Sequence, residues 1–208
     1  MSAVDLTIPI SEESIRSLRV GDTVHLSGVM VTGRDAAHKT MVETFIRSPH
    51  VPESERTVYE ALKELLKESV IYHCGPVVRQ DDDGKWEFVA AGPTTSIREE
   101  VYEPEVIEHF GLRGVIGKGG MGPNTLRACQ EHGAVYFHAV GGAASLIAAA
   151  VKEVVAVYKK DAFGVPEAFW VIRVEGFPVV VTMDTHGRSI HDEVEETSKA
   201  ALVRLIGS

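Results

Sequence analysis

GVIGKGGMGPNTLRACQ, residues 114–130, decides how the fold is read. Val115-Ile116 is a short apolar run of the kind that forms a buried strand. It enters a loop holding Gly117, Gly119, Gly120 and Gly122 with one cation, Lys118, and a helical pattern follows. A backbone stripped of side chains at a helix start can hold an anion: Gly119 and Gly120 expose N–H groups, Lys118 adds a full charge, and Pro123 suits a first helical turn. The same residues also serve as a tight strand-to-helix turn with a solvent-facing lysine, so the loop by itself leaves both readings open.

Downstream, LRACQEHG is expected to be a helix ending at Gly133, and AVYFHAV a buried strand. Gly141-Gly142 then opens a small-residue helix, AASLIAAAVKEVVAVYK. EAFWVIRVEGFPVVVTMDTHG supplies two strands with breaks at Gly176 and Pro178, its HG a hairpin turn between strands, and ETSKAALVRLI a closing helix. Upstream, LTIPI alternates like a strand, SEESIRSL is a short helix with Ser11 as N-cap, and TVHLSGVMVTG forms two β-type runs hinged at Gly28. From Asp35 a helix places Ala37, Met41 and Phe45 on one face; RSPHVPESER is a loop; TVYEALKELLKES is an amphipathic helix. VIYHCGPVV and KWEFVAAGP are strand-like around an acidic turn, and TTSIREEVYEPEVIEHFGLRG is helical around Pro104. Strands first cluster and then alternate with helices, so the fold class is α/β, in one domain over residues 1–208 with no repeat or linker.

The totals exclude several functions. With 208 residues, 44% hydrophobic and 25% charged, the chain buries an ordinary globular core. A net charge of −9 argues against nucleic acid, which asks for a basic face. No run approaches the ~18 apolar residues of a membrane span. The N-terminus carries an acid and no basic cluster, unlike a targeting peptide, so a soluble cytoplasmic protein is expected. Two cysteines, Cys74 and Cys129, lie far apart; they form neither a disulfide framework nor a zinc site, and they are too few to hold an iron–sulfur cluster unaided. Cys74 is expected to be a buried small hydrophobe. Asp184, His186 and His191 are scattered rather than a metal cluster, and no metal site is expected on this chain.

Gly117, Gly119 and Gly122 match the G-x-G-x-x-G dinucleotide pattern, but the strand after it ends in Val140-Gly141-Gly142 with no ribose-binding acid, and Lys118 is followed by Gly119 where a P-loop needs Ser or Thr. Two further turns repeat the cation-at-a-helix-start arrangement. In GPTTSIREE, Thr94 and Arg98 are four apart, and a hydroxyl with a guanidinium fork can grip a carboxylate; equally, Thr94 or Thr95 can be an N-cap with Arg98 paired to Glu99 or Glu103. In TGRDAAHKT, Arg34 stands at the helix entrance, His38 follows one turn on, and Asp35 and Lys39 form an i,i+4 pair. Together the three turns suit a small polyanion with more than one carboxylate.

TGRDAAHK, GPTTSIR, VIGKGGMG, HAVGGAA and MDTHG, in that order over nearly the whole chain, resemble the β subunit or C-terminal domain of the class I iron–sulfur hydro-lyases, fumarate hydratase and L-tartrate dehydratase. The resemblance implies a swivelling β/β/α domain that closes over a partner α subunit, the partner holding a [4Fe–4S] cluster that this chain cannot. It implies reversible hydration of fumarate to (S)-malate in an oligomer, with a small dicarboxylate as substrate. Carried over by motif, Arg34, Arg98 and Lys118 contact substrate carboxylates, Thr94 sits at the reacting carbon as a candidate base, and Thr94 and Lys118 are the catalytic pair. Thr95 is an open alternative to Thr94. Tartrate as substrate, and a stand-alone anion-binding module, are the competing functions.

Overall fold

The computed structural model describes residues 3–206. In chain order it runs β1 (Val4–Thr7), α1 (Glu12–Ser17), β2 (Thr23–Thr32), and α2 (Asp35–Thr40), which continues as a π-helical turn over Met41–Ile46. Next come α3 (Glu53–Leu66), β3 (Val70–Tyr72), the hairpin β4 (Val77–Gln80) and β5 (Trp86–Ala90), a 3-10 helix over Ser96–Val101, and α4 (Glu103–Phe110). Then follow β6 (Gly114–Gly117), α5 (Pro123–His132), β7 (Val135–His138), α6 (Ala144–Ala148), β8 (Val151–Tyr158), α7 (Lys160–Phe163), β9 (Phe169–Met183) and α8 (Ile190–Ile206).

The main sheet has the order β1-β2-β3-β6-β7-β9-β8, and β9 also pairs with β2. That second pairing closes β2, β3, β6, β7 and β9 into a barrel-like ring. Four of its strands run parallel; β9 is antiparallel to both neighbours in the ring. Because successive side chains point to opposite faces, the apolar runs divide between two cores. Val70, Tyr72, Ile116, Val135, Phe137, Trp170 and Ile172 fill the ring. Ile71, Val115, Tyr136, Phe169 and Val171 turn outward against Met41, Phe45, Leu62, Leu66, Val106 and Phe110 of the helical layer. Strands buried on both faces read as near-continuous hydrophobic stretches, which is why VIY and AVYF look as they do. Each fully buried large side chain contributes about 1.5–3 kcal/mol. The result is a mixed α/β architecture around a barrel-like sheet.

Ser11 caps α1, its hydroxyl accepting from Ser14 N–H at 3.2 Å, and Gly133 ends α5 in the left-handed region, as expected. Other expectations are corrected. The helix read over residues 143–159 stops after α6, and VKEVVAVY is a sheet-edge strand. Its β-branched valines favour the pleated surface, with Val151, Val154 and Val157 packed on the ring core. The two strands expected between residues 167 and 183 are one, β9. Pro178 is tolerated because it faces β2 on one side, and on the other β8 has paired only as far as Val174 and β7 begins at Val180. β2 is likewise continuous through Gly28, where an added Cβ would lie 2.7 Å from the Ile8 carbonyl oxygen. LTIPI leaves the sheet after Thr7, and residues 53–56 form the first turn of α3 rather than loop. The segment 94–114 splits into the 3-10 helix and α4, and the HG turn joins β9 to α8, not two strands.

Candidate functional site

Parallel strands end on the same rim of a sheet, and here that rim collects the motif turns. β2 delivers Gly33-Arg34 into α2, β3 delivers His73, β6 delivers Lys118, and β7 delivers the Val140-Gly141-Gly142 turn before α6. The GPTTSIR segment is stitched onto this rim by backbone bonds: Thr94 N–H donates to His73 O at 2.7 Å, Lys118 N–H to Thr94 O at 3.3 Å, and Ser96 N–H to Lys118 O at 3.1 Å. Gly117 permits that approach, since a Cβ there would stand 1.8 Å from Ser96 Oγ.

The cationic turns therefore meet. Arg98 reaches the GRD turn with its fork: Nε donates to Asp35 Oδ1 at 2.8 Å and Nη2 to Oδ2 at 2.9 Å. This pair holds the Asp35 carboxyl below its usual range and raises Arg98. It also corrects the expected Asp35–Lys39 pair; Lys39 lies near Glu43 instead, at 3.9 Å. Arg98 approaches Glu99 only to 3.9 Å. Arg34 pairs with Glu167 at 3.3 Å and runs across Gly75, where a Cβ would meet its Nη1 at 2.4 Å. Lys118 is half-buried, its stem beside Gly141, and its ammonium has no ion pair among the described residues. Thr94 is half-buried and gives its hydroxyl proton to His73 O at 3.1 Å, which leaves its lone pairs facing away from that bond. Thr95 is exposed at the N-cap position without a side-chain cap. Thr94 precedes a 3-10 helix, so the i,i+4 argument for Thr94 and Arg98 does not apply; the sheet edge, not a helix face, relates them.

The start of α5 is not open to a ligand anion. Glu100 occupies it, its carboxylate accepting from Gly122 N–H (2.7 Å), Asn124 N–H (2.9 Å), Thr125 N–H (3.3 Å) and the Thr125 hydroxyl (2.6 Å). The anion that the glycine loop was expected to cradle at its helix is the chain's own. Lys118 remains as a cation on the rim.

Behind the rim lies a polar cluster the sequence did not announce. His38, His73 and Glu103 are fully buried, with ligand-type atoms within 4.8 Å of one another. His73 Nε2 meets Glu103 Oε2 at 3.0 Å in a hydrogen bond, and His38 Nε2 stands 3.0 Å from the same oxygen off the line of its N–H, an ion pair. This is the group with metal-ligand composition among the described residues, yet both imidazoles converge on one oxygen, a pattern protons account for. Burial would push the Glu103 carboxyl up, but the His38 charge 3.0 Å away and the bond from His73 outweigh it and bring it down to about 2. Burial opposes a charge on His38 as well, and Glu103 overcomes this and raises it, while burial keeps His73 low. Glu99, buried without a hydrogen-bond partner among the described residues, is pushed up to about 7 by burial, against His38 and Arg98. Nothing in spacing or periodicity marks these residues: each comes from a different segment.

Asp184 serves a turn, accepting from Val20, His186 and Arg188 N–H groups, and His191 packs near Tyr136, so the three do not form a ligand set. Cys74 and Cys129 are buried free thiols in the two different cores, Cys74 pushed up to about 12 by burial. Such a pair does not fit a [4Fe–4S] cluster, which takes three or four thiolates. A cleft of about 660 Å³ between Pro9, Glu68 and Arg173 is lined by none of the rim residues. No helix among the described residues is long and apolar enough to cross a membrane.

The sequence is similar to those of known proteins. Residues 1–194 match the family described as fumarase C-terminus. The chain is 47% identical over 195 residues to a putative class I fumarate hydratase of Geobacillus stearothermophilus, covering 94% of this chain and 35% of that protein, so it spans about a third of that relative's length. It is 41% identical over 186 residues to the L(+)-tartrate dehydratase subunit beta of Escherichia coli, covering 89% of this chain and 85% of that one. A putative L(+)-tartrate dehydratase subunit beta of Methanocaldococcus jannaschii is 38% identical over 199 residues, with 95% and 96% covered.

Proposed function

Since the chain belongs to the fumarase C-terminus family, with fumarate hydratase class I and tartrate dehydratase β-subunit relatives, we propose that it is the β subunit of a two-chain iron–sulfur hydro-lyase that reversibly hydrates fumarate to (S)-malate. The observation that carries this is the meeting of the GRD, TTSIR and GKGG turns on one rim through the Arg98–Asp35 fork and the Thr94–Lys118 backbone pairing. A dicarboxylate needs two anchored ends, and removing a proton from the carbon beside a carboxylate builds negative charge onto that carboxylate. Cations standing where the charge grows lower the barrier, and holding both ends fixes the elimination geometry.

In this reading Arg34, Arg98 and Lys118 bind the substrate carboxylates. Arg98 keeps its Nη1 edge for the substrate while Asp35 fixes its plane. Thr94 stands beside the reacting carbon, its own proton committed to the His73 carbonyl. The [4Fe–4S] cluster belongs to the partner α subunit, which covers the rim. Ile97, Val140 and Leu146, exposed apolar side chains on or beside the motif turns, suit such a cover. The domain swivels over that partner within a larger oligomer, and the two free thiols suit the reducing cytoplasm.

A tartrate dehydratase β subunit is the second reading. It is favoured by one observation: relatives 38% and 41% identical to this chain carry the name L(+)-tartrate dehydratase subunit beta. Both readings need the same clamp, and tartrate's extra hydroxyl asks for one more polar partner. The test is Arg98→Ala and Lys118→Ala in the chain assembled with its α subunit. Turnover is expected to fall with folding intact, and near-normal turnover in either variant would remove that residue from the site.

A further inference from the structure

The hydro-lyase reading leaves a fully buried charged group unused, and its connections run toward every cationic turn. His38 Nδ1 meets Arg34 O at 3.0 Å, and its Nε2 lies 3.0 Å from Glu103 Oε2. His73 Nε2 bonds the same oxygen at 3.0 Å, its Nδ1 meets Ser96 Oγ at 2.8 Å, and its main-chain oxygen accepts both the amide and the hydroxyl of Thr94. Tyr136 OH donates to Ser96 Oγ at 2.8 Å, and the Ser96 amide donates to Lys118 O at 3.1 Å.

Donors and acceptors fix the direction of this chain. His38 Nδ1 donates to the Arg34 carbonyl, and its Nε2 stands 3.0 Å from the Glu103 carboxylate, where a bare lone pair would face negative charge, so both of its nitrogens carry protons and it is an imidazolium. Tyr136 gives its proton to Ser96, Ser96 gives its own to His73 Nδ1, and neutral His73 gives its Nε2 proton to Glu103. The single carboxylate thus balances one buried cation and orders two imidazoles. Each imidazole is bonded in turn to the segment that carries a substrate-contacting side chain. A metal would need both nitrogens stripped of the protons that this pattern requires.

We propose that Glu103 is a positioning residue for the hydro-lyase site, holding the Arg34 turn through His38 and the Thr94–Arg98 and Lys118 segments through His73, Ser96 and Tyr136. The inference rests on the proposed function for its catalytic consequence, but not for its geometry. Displacing a reacting group by about 1 Å can cost around 100-fold in rate, so loss of the hub is expected to act on both kcat and KM.

The experiment has two arms. In the isolated chain, imidazole nitrogen NMR at pH 8 is expected to find His38 protonated on both nitrogens and His73 on Nε2 alone. Glu103→Gln is expected to leave His38 neutral and to shift the amides of Arg34, Thr94 and Lys118. In the assembled enzyme, Glu103→Gln is expected to lower kcat/KM by about 10- to 100-fold, with a higher KM for the dicarboxylate, and Glu103→Asp to recover part of the loss. If Glu103→Gln does not fold, Tyr136→Phe, which removes one hydroxyl at the far end, is expected to show a smaller change of the same kind. A neutral His38 in the wild type overturns the proposal. So does unchanged kcat/KM in folded Glu103→Gln and Tyr136→Phe, or a stoichiometric divalent ion that copurifies with the chain and is lost in Glu103→Gln. A wild-type assembly without hydro-lyase turnover would refute the proposed function instead, and the NMR arm would still decide the hub.

Discussion

Replacing Glu100 with alanine separates two uses of the glycine loop. The wild-type carboxylate accepts three backbone N–H groups at the start of α5 and the Thr125 hydroxyl, at 2.6–3.3 Å. A hydrogen bond to a charged group contributes about 1.5–3 kcal/mol, and a carboxylate at a helix N-terminus gains about 0.3–1 kcal/mol from the dipole. The contributions do not add fully, because Asn124 is exposed and water replaces part of what it loses. A net loss of about 2–3 kcal/mol is therefore expected. For a chain of 208 residues that is a fall in thermal midpoint of roughly 4–12 °C. Thermal and urea unfolding of the isolated chain measure it, and titration with a dicarboxylate supplies the second half. If Glu100 is structural, the variant binds the dicarboxylate no more tightly than the wild type. A loss below about 0.5 kcal/mol, or tighter dicarboxylate binding once the carboxylate is gone, would refute the reasoning and return the helix start to the substrate.

Arg98→Ala and Lys118→Ala in the assembled enzyme are each expected to lower kcat/KM by about 100- to 1,000-fold, measured by fumarate hydration. The isolated Arg98→Ala chain should lose less than about 1 kcal/mol, because its pair with Asp35 is half exposed. Gly117→Ala forces a Cβ onto Ser96 Oγ and should destabilise by about 1–3 kcal/mol, together with weaker carboxylate binding. Glu99, pushed up to about 7 beside Asp35, Glu103, His38 and Arg98, favours the folded state when protonated. Its contribution is therefore lost as pH rises from about 4.5 through 7, and Glu99→Gln should raise the thermal midpoint at pH 8 while changing little at pH 4; an equal effect at both values would exclude the shift. Glu103 has the opposite sign, being brought down to about 2: its stabilisation is present above the unfolded value and lost as pH falls toward 2, so acid unfolding of Glu103→Gln should depend less on pH in that range.

What could be read from the sequence was local. A glycine before a cation before a helix is visible in seven letters, and the strand ends that carry Arg34 and Lys118 followed from it; Cys74 was legible separately as a buried small side chain. β8 was missed because AASLIAAA has helical composition and runs straight into the valines of VKEVVAVY; only β9 makes that segment a strand. Ring closure was equally out of reach, since it rests on pairing residues as far apart as Val31 and Val171. The same holds within the site. Arg98 is bound to Asp35, 63 positions away, where the local choice lay with Glu99 or Glu103. Glu103 looked like one more acid ahead of Pro104, and Glu100 like its neighbour. Their roles as hub and cap come from the rim that the parallel strands assemble, and no spacing in the chain encodes it.

Reconstitution is the most direct measurement: anaerobic turnover of fumarate, malate and tartrate by this chain alone, by a cluster-bearing α subunit alone, and by the two mixed. The expected result is turnover only in the mixture, faster with fumarate or malate than with tartrate. Turnover of tartrate alone would keep the clamp and change the substrate. Absence of both association and turnover would contradict the assignment of this chain as a hydro-lyase subunit.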